Sequence, residues 1–167
     1  KYNQAIDLMN EGNYEEAQLI LNNLDGYSDA QSQIIIIEAH KEFKSGNYEK
    51  AINLIEEIGT VEITYNLDGG QSLEQLSMSF NLSVTNKIPF KTGYTFIGWE
   101  LESYSINNEK DNYSADVSLK AKWTINQYTI TFDSNGGSEV SSITQDYATL
   151  VTEPTSPLLE GYTFTGW

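Results

Sequence analysis

Gly93-Tyr94-Thr95-Phe96-Ile97-Gly98-Trp99 is repeated as Gly161-Tyr162-Thr163-Phe164-Thr165-Gly166-Trp167. Upstream of each copy stands a second landmark, Ile63-Thr64-Tyr65-Asn66-Leu67-Asp68-Gly69-Gly70 and then Ile130-Thr131-Phe132-Asp133-Ser134-Asn135-Gly136-Gly137. The offsets of the two landmarks agree to within one residue, so the second half of the chain is a tandem module. Modules of this kind build length or valency more often than active sites.

Within the module the hydrophobic period is 2. Val61, Ile63 and Tyr65 alternate with Glu62, Thr64 and Asn66, and Tyr128, Ile130 and Phe132 alternate with Thr129 and Thr131, the pattern of half-buried strands. Asp68-Gly69-Gly70 and Asn135-Gly136-Gly137 read as the turns that follow, because Gly and Asn tolerate positive φ. In the heptapeptide, Tyr94, Phe96 and Trp99, like Tyr162, Phe164 and Trp167, are core candidates on a short strand, and the Gly before Trp predicts a bend that turns the indole inward. An aromatic platform for glycan is the rival reading; repetition beside Gly favours packing. After Trp99 a polar insertion is read from Glu100 to Ala115, and Val117, Leu119, Ala121 and Trp123 then alternate as a closing strand. The second copy stops about 25 residues earlier than the first and lacks that strand.

Residues 1 to 58 carry a different duplication. Gly12-Asn13-Tyr14-Glu15-Glu16-Ala17 recurs as Gly46-Asn47-Tyr48-Glu49-Lys50-Ala51 at an offset of 34. Tyr14, Ala17, Leu21 and Leu24, and likewise Tyr48, Ala51, Ile55 and Ile58, lie on one helix face. Helices are expected at 2 to 11, 13 to 24, 29 to 45 and 47 to 58, with Asn13 and Asn47 as caps and Ser28 and Asp29 starting the third. Ile34 to Ile37 reads as a buried helical turn, since a membrane span needs about 18 apolar residues.

This N-terminal region resembles a tetratricopeptide-like helical repeat through Gly12, Tyr14, Ala17 and Gly46, Tyr48, Ala51. Such repeats need about three copies for stability, so either further copies precede Lys1 or the β-rich part caps the stack. Repeats of this type take peptides on a concave face or serve as spacers. With no Arg and few Lys, a clamp for peptide carboxylates is not expected.

The β part, from about 61 to 167, resembles the Listeria/Bacteroides repeat, the B-type repeat of internalins. The resemblance rests on the Gly-Gly strand end, the Pro-containing approach (Pro89; Pro154 and Pro157), the Gly-Tyr-Thr-Phe-X-Gly-Trp heptapeptide and the Leu119-X-Ala121-X-Trp123 closing strand. The first copy departs from the pattern between Leu73 and Lys87 and in its polar insertion. The resemblance implies small β-grasp-like modules in tandem on secreted or wall-attached bacterial proteins, serving as spacers or adhesion and protein-interaction modules, with no catalytic residues to carry over.

The expected architecture is therefore multidomain α+β: tetratricopeptide-like hairpins at 1 to 59, a first β-grasp-like repeat at 60 to 124 and an incomplete second one at 125 to 167. Nine Lys against 24 acidic residues give a net charge of -15, which argues against nucleic acid or an anionic membrane as partner. Without cysteine there is no disulfide framework or thiolate metal site, and the single His40, inside a helical repeat, is a poor basis for zinc or triad chemistry. Asp133-Ser134-Asn135-Gly136 starts like a calcium loop, but its glycine comes too early and no bidentate acid follows at the required distance. Glu56 and Glu57 are adjacent on a solvated helix and point different ways.

No catalytic residue, metal ligand or cofactor site is assigned. The expected function is a noncatalytic segment of a bacterial cell-surface or secreted protein with a protein partner, glycan being the weaker candidate. In the rival reading of a binding module, either the helical groove takes a peptide or exposed tyrosines such as Tyr104 and Tyr113 contact a host protein or glycan. Two alternatives stay open: a peptide- or glycan-binding module of a larger extracellular enzyme, and an intracellular tetratricopeptide-type scaffold. The start at Lys1 and the stop at Trp167 read as those of a fragment.

Overall fold

The computed structural model describes residues 1–24, 28–71 and 88–167. The chain is α+β. Four helices come first, α1 (Tyr2–Asn10), α2 (Tyr14–Asn22), α3 (Ser28–Ser45) and α4 (Tyr48–Glu56). They are followed by β1 (Gly59–Asn66), β2 (Tyr94–Glu109), β3 (Asn112–Ile125), β4 (Gln127–Ile130) and β5 (Ile143–Asp146). The divergent stretch Leu73 to Lys87 lies outside the described residues.

Each helix buries one stripe. Ala17 and Leu21 of α2 and Ala51, Ile52 and Ile55 of α4 are buried, while Tyr14, Leu24, Tyr48 and Ile58 flank them half-buried. In α3 the Ile run faces inward through Ile36 and Ile37, with Ile34 at its margin. Asn13 and Asn47 stand at the N-cap positions, but neither caps with its side chain. Their amides donate to carboxylates, Asn13 to Glu11 at 3.1 Å and Asn47 to Glu42 at 2.8 Å.

Among the described residues the first repeat is a mixed three-stranded sheet of order β1-β3-β2. β1 runs parallel to β3, from Gly59 opposite Tyr113 to Asn66 opposite Lys120, and β2 pairs antiparallel with the other edge of β3. The last strand in sequence is thus the central one. On β3 the inward positions Tyr113, Ala115, Val117, Leu119 and Ala121 are all buried. β2 is bulged between Phe96 and Gly98, where Gly98 takes φ 138°, a value that L side chains rarely adopt. The bend turns Trp99 inward to 8% exposure, against Tyr65 at 4.9 Å and Phe96 at 5.1 Å between ring centroids.

Two expectations are corrected here. Glu100 to Ala115 is not an irregular insertion but a β-hairpin, the ends of β2 and β3 joined by a tight turn at Lys110 and Asp111. Its period of 2 is carried by Tyr104, Ile106, Tyr113 and Ala115, and the Ser, Asn and Glu residues between them occupy the outer face. The second heptapeptide, Gly161 to Trp167, forms no strand, and Tyr162 and Trp167 remain 77% and 48% exposed. In the first copy the heptapeptide is paired to β3 through Phe96–Trp123, Gly98–Lys122 and Trp99–Ala121. Up to Trp167 the second copy has no counterpart of that central strand, so the backbone groups of its heptapeptide lack the ladder that would extend them. What it does form is the small ladder of β4 and β5.

Candidate interaction surface

The helical arm and the first repeat share one core. Buried residues of all four helices and of β2 and β3 form a single cluster, with β1 side chains packed against it. The face of α3 around Gln33, His40 and Phe43 is where the β2–β3 hairpin sits, so the stretch between Glu100 and Ala115 is the arm's docking element.

The junction is built from aromatic rings and a few buried polar groups. Tyr104 stacks on Phe43 at 4.2 Å between centroids. The Tyr104 hydroxyl lies 3.1 Å from His40 Nδ1, either atom donating according to the imidazole tautomer, and the imidazole in turn stacks on Tyr14 at 5.0 Å. Burial, with Lys44 nearby adding a positive field, holds the His40 pKa below the usual histidine value. Lys44 also lies over the Tyr14 ring, 4.8 Å from its centroid. The neutral imidazole is therefore the form this packing favours.

A second tie lies at the start of α3. Tyr113 donates its hydroxyl hydrogen to Asp29 Oδ1, both groups being buried. Burial first, and the Asp29 carboxylate second, push the Tyr113 phenol above the ordinary tyrosine range. Beside them Gln33 is buried, with its Oε1 lacking a hydrogen-bond partner. A third tie is the Tyr48 hydroxyl, which donates to the carbonyl oxygen of Trp99.

Tyr104 and Tyr113 therefore do not present themselves to a ligand. They are the aromatic anchors of an internal interface, a role concealed in the sequence by the Ser, Asn and Glu residues that surround them. Glu56 and Glu57 are exposed at the end of α4. At Asp133 the carboxylate accepts the Asn135 backbone N–H at 2.9 Å, an Asx-type turn. Among the described residues no group of three or more His, Cys, Asp or Glu is placed to hold a metal. No helix among them is long and apolar enough to cross a membrane.

In the second copy a cleft of about 360 Å³ is lined by Asn135, Pro157, Tyr162, Phe164 and Trp167 among others. Its aromatic geometry repeats that of the first copy: Trp167 lies 4.8 Å from Phe132 and 5.1 Å from Phe164, as Trp99 does from Tyr65 and Phe96 at 4.9 and 5.1 Å. Phe164, Gly166 and Trp167 occupy the positions that pair with β3 in the first copy.

This constellation of bulged glycine, inward Trp and Gly-Gly turn agrees with what comparison with known proteins finds. The Listeria-Bacteroides repeat domain matches residues 62–122 and again 128–167, more than half of the chain. The chain belongs to this family. Over 115 residues, 66% of the chain, it is 36% identical to two proteins of Evansella cellulosilytica, one carrying a membrane-protein name and the other a Gly-rich membrane-protein name. It is 42% identical over 83 residues, 47% of the chain, to internalin H of Listeria monocytogenes. The matched parts cover 17%, 13% and 15% of these relatives, so the chain corresponds to a small part of each. No solved structure matches it. The family's two copies are thus unequal here: one is closed by its own central strand and docked to helices, and the other is open up to Trp167.

Proposed function

We infer that this chain is a noncatalytic part of a bacterial cell-surface or secreted protein, in which it works as a spacer and protein-interaction module. The observation that carries this reading is the junction. Tyr104 and Tyr113, which the binding-module alternative offers to a ligand, hold the helical arm to the first repeat instead. A docked arm followed in line by family repeats sets direction and reach.

On this reading the chain divides into a tetratricopeptide-like arm at 1–59, a β-grasp-like repeat at 60–124 and a second repeat from 125. The 34-residue offset within the arm and the two landmarks of the repeats support the division. The membrane-protein and internalin names of the relatives support a surface location. The excess of acidic residues keeps such a surface soluble and self-repelling, and suits a protein partner better than nucleic acid.

Brief protease treatment of intact source cells, followed by mass spectrometry of the released peptides, tests the location. Release of peptides from 60–167 without those of a cytoplasmic control protein is the expected result. Protection of the chain until lysis overturns the reading and favours an internal scaffold.

A further inference from the structure

The first repeat is entered through β1 and left through β3, and these two strands are parallel neighbours. The chain comes in at Gly59, opposite Tyr113, and goes out at Ile125, beyond the Asn66–Lys120 pair at the other end of the ladder. Tension along the chain therefore pulls β1 and β3 from opposite ends. All eight residue pairs, from Gly59–Tyr113 to Asn66–Lys120, then carry the load side by side. Had the entry and exit strands been antiparallel, both attachment points would lie at the same end and the pairs would open one after another.

The surroundings reinforce the ladder. β3 cannot follow β1 easily, because its other edge is paired with β2 along nearly its whole length and its inward side chains are buried. At the far end, Trp123 donates its indole N–H to the carbonyl of Leu67 at 3.1 Å, fastening the turn that follows β1. At the near end, Gly59 runs so close to the Tyr113 carbonyl that a Cβ would come within 2.0 Å of its oxygen. The arm's ties from Asp29 and Tyr48 end on Tyr113 of β3 and on Trp99 of β2, and neither ends on β1.

We propose that the first repeat is a force-bearing clamp, in which the parallel β1–β3 ladder resists tension transmitted along the chain by shear. The clamp rests on the spacer reading for its use in the cell. Its mechanics are a property of the isolated chain, so a mechanical failure and a failure of the surface location are read in different experiments.

The chain has no cysteine, so attachment points can be placed at will. Thr60, Thr124 and Lys110 are all exposed. The full chain carrying Thr60→Cys with Thr124→Cys is loaded at opposite ends of the ladder, and the chain carrying Thr60→Cys with Lys110→Cys at the same end. Urea unfolding first establishes that the two variants start from equal stability. Single-molecule pulling at one loading rate is then expected to give an unfolding force at least about twofold higher for the Thr60/Thr124 pair. Equal forces, or a higher force for the Thr60/Lys110 pair, overturn the proposal.

Discussion

Tyr113 and Asp29, 84 positions apart, meet in a buried hydrogen bond that ties the start of α3 to the central strand of the first repeat. Tyr113→Phe keeps the ring and leaves the Asp29 carboxylate buried without that donor. The expected cost is about 1–3 kcal/mol of stability. Urea unfolding measures it, and hydrogen exchange should show the loss concentrated at the start of α3. An unchanged midpoint would mean that Asp29 finds water as readily as it finds Tyr113.

His40 predicts a pH dependence. Its pKa is lowered in the folded chain by burial and by Lys44, so between the folded value and the unfolded value of about 6.5 the unfolded chain binds more protons. The contribution is fully present above the unfolded pKa and declines as pH falls through and below it. The groups facing the imidazole are Tyr14 from α2, Tyr104 from β2 and Lys44 on its own helix, none of which supplies a negative charge in that range. Urea midpoints measured at pH 7.5 and pH 5.5 should differ more for the parent chain than for His40→Phe. Equal differences would assign the effect to carboxylates.

Gly59→Ala tests the close approach that starts the parallel ladder. Its Cβ would meet the backbone of Tyr113, which cannot swing aside as a side chain would. Overpacking of this kind costs about 1–3 kcal/mol. Thr60→Ala, one residue on and exposed, serves as the control and should be close to neutral by urea unfolding.

The open second copy predicts complementation. A synthetic peptide with the sequence of Asn112–Ile125 should seat along Phe164, Gly166 and Trp167 as β3 seats along Phe96, Gly98 and Trp99. In a chain labelled with fluorotryptophan, the Trp167 resonance should shift on titration, while those of the already enclosed Trp99 and Trp123 stay in place. A scrambled peptide that acts equally well would sink this account.

The helices and β1 were legible because each has a clear period and a stop signal, such as Gly46 or Gly59. The bend at Gly98 was legible from the Gly that stands before Trp99. The long β2–β3 hairpin was not, because Ser103, Ser105, Asn107 and Asp116 on its outer face give the segment the composition of a loop. Nor could the burial of Tyr104 and Tyr113 be read, since their partners Phe43 and Asp29 are more than 60 positions away. Asn13 and Asn47 were placed correctly at helix starts, but that their side chains make no cap bond, while their amides donate to Glu11 and Glu42, is a matter of side-chain geometry.

The central strand of the first repeat is also its last in sequence. Among the described residues β1 and β2 each pair with β3 and not with each other, so both depend on Asn112–Ile125. The bend at Gly98 does not. Gly166 adopts φ 137° in the open copy, against 138° at Gly98 in the closed one, so the bend does not depend on pairing with a central strand. The sheet of the first repeat therefore cannot close around its centre until the end of that repeat is present, whichever part of the chain folds first.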